Sequence, residues 1–218
     1  MIEKTKLFVV ALSTAWIFGV SPSPAAPTLE WSHILDSSRY DSANFVAADG
    51  LGNVYVAGST YGTLPGAIGM GEGFLAKYDA DGLLQWTRQP DGYERVNDMS
   101  IDALGHVCLT GNTTTTDEYL MKYDADGTPL WTQEFGIFHI GRPMAVSTDT
   151  LGNVYLGGWK KSGVDVDLDA LVAKYDSNGV FQWTQQIGSS GDESVSSMAT
   201  DGLGNLYIVG GTNGNLAG

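Results

Sequence analysis

Of the 218 residues one is a cysteine, Cys108, and three are histidines. A single cysteine excludes an internal disulfide, so packing alone must hold the chain together. Cys108 lies in the apolar run GHVCLTG, which reads as a buried thiol rather than a nucleophile or a ligand. Basic residues are scarce as well: 11 Lys and Arg stand against 25 Asp and Glu, a formal net charge of −14. A surface that acidic repels phosphate backbones and anionic headgroups, which argues against nucleic acid and membrane surfaces as partners. Sustained helical periodicity is missing from residues 26–218. Missing too are H-E-x-x-H, G-x-S-x-G and the P-loop.

Long apolar runs are absent with one exception. Lys4 and Lys6 precede Leu7–Val20, an apolar stretch too short for the roughly 20 residues that span a bilayer. SPSPAAP follows, with small residues placed for cleavage. This is the layout of a secretory signal peptide over residues 1–25, Glu3 being its one departure. Residues 26–218 are then expected outside the cytoplasm: periplasmic, on the cell surface or extracellular, with no membrane insertion once the signal is removed. Its removal takes away two lysines and one glutamate and leaves the remainder one unit more negative.

What the chain has in abundance is itself. DGLGNVYVAG begins at Asp49, DALGHVCLTG at Asp102, DTLGNVYLGG at Asp149 and DGLGNLYIVG at Asp201. Between them stand KYDADGLLQWTRQ from Lys77, KYDADGTPLWTQE from Lys122 and KYDSNGVFQWTQQ from Lys174. A lone version of the last piece, LEWSHIL with Trp31, stands at the front. Each unit reads as four short strands rich in Val, Ile, Leu, Tyr, Phe, Trp and Thr. Apolar residues occupy both faces of most strands, the pattern of a sheet buried on both sides. Four-stranded meanders at a period of about 50 residues predict an all-β chain, a β-propeller of antiparallel blades. The units fall at about 44–90, 96–137 and 143–188. A partial unit covers about 194–212 and the orphan strand about 29–35, so some three and a half blades are present.

Asp79-Ala80-Asp81-Gly82 has acidic residues at alternate positions before a glycine, as calcium loops do. The phrase recurs with the repeat, and the long helix-flanked loop of a calcium site is absent, so it reads as a turn. Aspartate accepts backbone N–H groups two residues on, and glycine takes the left-handed position that closes the hairpin.

Together the repeats D-x-L-G-N-V-Y-V-x-G and F-L-A-K-Y-D-x-D-G-x-x-x-W-T resemble the bacterial β-propeller repeat family known as SBBP. The resemblance covers nearly all of residues 26–218. It implies a propeller fold and an exported protein, and no defined activity. A looser likeness links YDADG…W to the tryptophan-bearing blades of quinoprotein dehydrogenases, without their cofactor residues. Against a seven-bladed ring the chain holds about half the blades. Three readings follow: a fragment of a longer chain, two copies sharing one ring, or an N-terminal strand that closes four blades.

In an up-and-down blade the constant turns lie on one side of the ring and the variable connections on the other. Any ligand is expected on the variable side. Candidates there are Tyr61 and Trp159, able to stack on sugar rings, and His139 in a variable loop. Asp165, Asp167 and Asp169 alternate, so a strand would put all three on one side, able to bind calcium. Three carboxylates fall short of a full shell, and a solvated acidic loop is the simpler reading. GMGEG at 69–73 lacks the βαβ setting of a dinucleotide loop and reads as flexible loop. His33 falls in the orphan strand, and His106 occupies the turn position held elsewhere by Asn53, Asn153 and Asn205. The functional expectation is a non-catalytic scaffold that binds protein or glycan, without a required cofactor. The alternative is a segment of a polysaccharide-acting or quinoprotein-like enzyme whose active residues lie outside this chain.

Overall fold

The computed structural model of the chain describes residues 7–13, 28–115, 117–135, 142–161 and 167–215, and among them there is no helix. Strands β1 (Leu7–Ser13) and β2 (Thr28–Leu35) pair antiparallel. The first blade contains β3 (Asp41–Ala48), β4 (Val54–Thr60), β5 (Ala67–Ile68), β6 (Gly73–Tyr78) and β7 (Leu84–Arg88). The second contains β8 (Tyr93–Ile101), β9 (Val107–Thr113), β10 (Glu118–Tyr123) and β11 (Pro129–Phe135). The third contains β12 (Arg142–Thr148), β13 (Val154–Lys161), β14 (Leu168–Tyr175) and β15 (Phe181–Ile187). A half-blade of β16 (Glu193–Thr200) and β17 (Leu206–Thr212) follows. Each full blade is an antiparallel meander, as the repeats predict.

Three details differ from the expectation. Every first strand starts earlier than its apolar pattern suggests. Register shifts at Ala43/Phe45, Pro143/Ala145 and Val195/Ser197 mark one bulge each in β3, β12 and β16, those at Tyr93/Arg95 and Val96/Asp98 mark two in β8, and the period-two alternation breaks there. The first blade gains a fifth strand: β5, inside the connection 61–72, pairs parallel with the outer edge of β7. Nor, among the described residues, is the third of the readings above, closure on four blades, seen. The β16–β17 and β1–β2 sheets are not hydrogen-bonded to each other, and β2 lies against the first blade instead.

Alternation along the strands sorts residues between successive blade interfaces. Val56 faces β2, in a cluster with Leu35, Phe74 and Tyr78, while its neighbours Tyr55 and Ala57 face the second blade with Val107, Leu109 and Met121. Cys108 and Leu120 point the other way, toward Val146, Val154 and Leu156 of the third blade. Cys108 is fully buried, and burial pushes its thiol up to about 12, which keeps it protonated and unreactive. A blade left alone would expose both faces of its second strand, so stacking is the condition for stability.

A tryptophan links each blade to the next. Trp31 Nε1–H donates to Ala80 O (3.1 Å), Trp86 Nε1–H to Ala125 O (3.3 Å) and Trp131 Nε1–H to Ser177 O (3.0 Å). Each acceptor is the second residue of an Asp-x-(Asp/Asn)-Gly turn in the following blade. The turn glycines Gly82, Gly127 and Gly179 have φ of +80°, +74° and +80°, and a Cβ there would lie 2.4, 2.8 and 2.7 Å from the indole. Glycine thus meets two requirements, the left-handed backbone and the ring seated on it. Within the turn, Asp79 Oδ1 accepts the N–H groups of Asp81 (3.1 Å) and Leu83 (2.8 Å). The DADG stretch is therefore a hairpin turn and, in addition, the seat of the preceding blade's tryptophan.

Removing the indole donor by Trp131→Phe should cost about 1 kcal/mol. Gly179→Ala should cost about 1–3 kcal/mol through the clash and the positive φ. In a Trp131→Ala background Gly179→Ala should cost less, because the clashing ring is gone. Urea unfolding of the four proteins checks this, and strict additivity would refute the coupling.

Candidate functional site

The two sides of the blades differ in chemistry. On the constant side each turn between first and second strands is closed by its own aspartate. Asp149 Oδ1 accepts Leu151 and Asn153 N–H (both 2.9 Å), and its Oδ2 accepts Asn153 Nδ2–H and Tyr155 Oη–H. Asp49 and Asp201 repeat the pattern with Asn53 and Asn205. In the second blade His106 replaces the asparagine, with Nδ1 2.9 Å from Asp102 Oδ2, so it is the turn residue its position predicts. Burial raises the Asp102 carboxyl, but the backbone and ring of His106 outweigh it and the net shift is downward. Asn205 and the backbone hold Asp201 down at about 2. Lys122 is buried beside Asp102 (3.3 Å) and donates to Gly152 O (2.9 Å) of the third blade.

On the variable side the repeat breaks down. The connection after β4 is pinned by Gln89, itself fully buried. Its Oε1 accepts Leu64 N–H (2.7 Å), and its Nε2 donates to Gly62 O (2.9 Å) and Gly71 O (2.8 Å). A Cβ at Gly69 or Gly71 would come within 1.9 Å of Gln89 O or Pro90 O. GMGEG is accordingly a packed segment, not a flexible one: its glycines permit close backbone approach. Tyr61 lies just beyond β4, exposed, with its ring 6.2 Å from the exposed Tyr40. Below them Asp41 is buried, accepting Ser37 N–H (2.9 Å) and the hydroxyls of Ser37 and Thr60. Glu193 repeats this device with Ser189 and Thr212.

At the junction of the second and third blades stands a pair the repeat does not predict. Glu118, 1% exposed, is the cross-strand partner of Asn112 and accepts its Nδ2–H (3.1 Å). Arg142 Nε of the third blade is 3.7 Å away. Glu118 Oε2 and Asn112 Oδ1 are two of the three buried side-chain atoms without a hydrogen-bond partner among the described residues. Burial pushes the Glu118 carboxyl up to about 7 against the pull of Arg142. The equivalent positions are Gly73 and Ala170, so only this blade places a carboxylate there.

The remaining candidates are dispersed. Trp159 lies in β13, half-buried, paired across strands with Arg142 and Ala170. Asp169 is buried in β14 and accepts Gln186 Nε2–H, while Asp167 precedes that strand, half-buried. Asp165 and His139 lie outside the described residues. No group of three or more His, Cys, Asp or Glu placed to hold a metal occurs among the described residues. A cleft of about 460 Å³ between the first two blades is lined by Ile68, Arg88, Pro90, Asp91, Tyr123 and Pro129. Arg88 already donates there to Gly127 O and Asp126 O. Sequence reading missed Tyr40, Gln89 and Glu118. For Glu118 the signal was available, since aligning the repeats sets a carboxylate against glycine and alanine.

Gln89→Leu strands two buried backbone groups, Leu64 N–H and Gly71 O, each worth about 1–3 kcal/mol. It should speed amide exchange at 62–71 while leaving the third blade unchanged, which hydrogen exchange resolves by segment. For Glu118 the folded protein holds its proton more tightly than the unfolded chain. The resulting stabilisation is complete below the ordinary value of 4.5 and is lost as pH rises to about 7. Glu118→Gln should remove that slope, so wild type loses stability relative to the variant between those pH values and not above. Melts across pH 4–8 check this, and parallel curves would refute it.

The profile of the β-propeller repeat SBBP matches residues 30–65 and 182–217. Both windows open one residue before a blade tryptophan, Trp31 and Trp183. The WD40 domain of Neurospora crassa Pan2 superposes with a TM-score of 0.51 at 12% identity, covering 78% of this chain and 44% of that one. A protein of unknown function from Bacteroides caccae gives 0.50 at 16% identity, over 83% of this chain and 56% of that one. The chain thus spans about half the length of these structures, and the likeness concerns the fold. No curated protein matches it. The chain is thus an all-β array of meandering, propeller-like blades that carries two matches to the SBBP β-propeller repeat.

Proposed function

We propose that the chain is an exported, non-catalytic binding scaffold that takes a protein or glycan ligand on its variable-loop face. One observation carries this reading: the repeat is kept on the constant side and, apart from the Asp41 and Glu193 clasps, given up on the other. Constant-side aspartates, His106, Lys122 and three tryptophans are engaged in turns and blade locks. On the variable side each blade offers something different: the Tyr40–Tyr61 pair, Glu118 with Asn112 and Arg142, and Trp159. Different side chains on rigidly held connections are the usual means of recognition. The packed 59–73 connection also supports this, since a pre-ordered loop loses less entropy on binding. Export rests on the signal-like segment, whose cleavage after Ala25 would remove β1.

Two measurements test the reading. N-terminal sequencing of protein secreted from a host should begin at Ala26, and retention of Met1 in the exported form would refute processing there. In a glycan array and an affinity capture from culture medium, Tyr40→Ala/Tyr61→Ala or Trp159→Ala should weaken whatever wild type retains. The exposed constant-side variant Leu83→Ser should retain it. A reproducible turnover, or binding lost only in Leu83→Ser, would overturn the scaffold reading.

A further inference from the structure

We infer that the cleft between the first two blades is a binding site for a small, uncharged aromatic compound seated on Tyr123. The other two junctions show what such a place holds. The third strand of each full blade ends in a buried tyrosine: Tyr78, Tyr123 or Tyr175. Two apolar residues stand beside it at fixed positions. One comes four residues after the tryptophan seated on that blade's turn, the other six residues after the tyrosine itself. For Tyr175 these are Phe135 and Phe181, with ring centroids 6.0 and 5.8 Å away. For Tyr78 they are Leu35 and Leu84, packed in one cluster with it. For Tyr123 they are Pro90 and Pro129, and here, between two complete blades, the cleft of about 460 Å³ opens with both prolines on its walls.

The backbone opens the place further. β7 stops at Arg88, whereas β11 runs on to Phe135, and Pro90 has no N–H with which to extend a ladder. The strand β5, which the second and third blades lack, then puts the exposed Ile68 on the wall. Tyr123 is 2% exposed, and its hydroxyl has no hydrogen-bond partner among the described residues. Arg88 is engaged by Gly127 O, Asp126 O and Thr87 O, so it is not free to hold an anion, and Asp91 on the rim would repel one. The volume lies in the range of small-molecule sites. An aromatic ring suits these walls, because it restores the contact that Phe135 and Phe181 give Tyr175. An oxygen on that ring's substituent can accept the Tyr123 Oη–H. The site shares no residue with the Tyr40–Tyr61 pair, Glu118 or Trp159, so it stands apart from the variable-face reading.

The probe is benzyl alcohol, an uncharged phenyl ring carrying one oxygen, titrated into the full chain and followed by NMR. Expected are saturable shifts centred on Ile68, Tyr123 and Thr128. Tyr123→Phe keeps the ring and removes the hydroxyl, and should weaken binding about fivefold. Pro129→Phe copies the third blade and fills the cleft, so it should abolish binding and raise the melting temperature. Pro90→Phe fills the same space from the other wall and should also abolish binding. Methyl glucoside should leave these signals unmoved. No saturable shift with benzyl alcohol, an equal response to methyl glucoside, or binding that survives in a folded Pro129→Phe or Pro90→Phe protein would overturn the inference.

Discussion

Everything in this molecule depends on blades finding one another, because none can bury its own sheet. The contact that sets their mutual position is the indole seated on the next blade's turn. Apolar surface alone would drive stacking, but it is non-directional and tolerates sliding. The N–H to carbonyl bond and the absence of a Cβ on the turn glycine remove that freedom. Lys122 adds to the same seam by reaching Gly152 O of the next blade from a buried site. Hydrophobic alternation thus supplies cohesion, and a few directional contacts on one side supply register.

Because those contacts all lie on the constant side, that side has little latitude. A change in turn length or in the glycine disturbs two blades at once. The opposite side carries no such shared geometry. There the blades share only the clasp of Asp41 or Glu193 on serine and threonine, while Gln89 ties down one long connection and Glu118 is enclosed with Asn112 and Arg142. Diversity on one face and repetition on the other are two results of one architecture.

Much of this was readable from sequence where the physics is local. Asp-x-x-Gly and Asp-x-(Asp/Asn)-Gly announce their turns because the aspartate bonds within six residues of itself. His106 was legible as a turn residue because it fills the place of Asn53, Asn153 and Asn205. Strand type was legible because β-rich composition between turn residues needs no partner. The partners themselves were not. Nothing near Trp31 says that its ring lies on Gly82, some fifty residues on, and nothing near Gln89 identifies Leu64 and Gly71. The true starts of the first strands were hidden because they lie ahead of the apolar runs, next to bulges. Glycines at 69 and 71 suggested mobility, whereas close approach of Gln89 and Pro90 backbone is what requires them.

The lock also has a direction: each unit offers a ring forward and a seat backward. A gene segment encoding one such unit therefore carries key and keyhole together. Tandem duplication of that segment would generate a compatible neighbour at once, with no second mutation needed to create the joint. Arrays of differing length can then arise from one cassette, while the loops of each copy drift apart on the side that takes no part in joining.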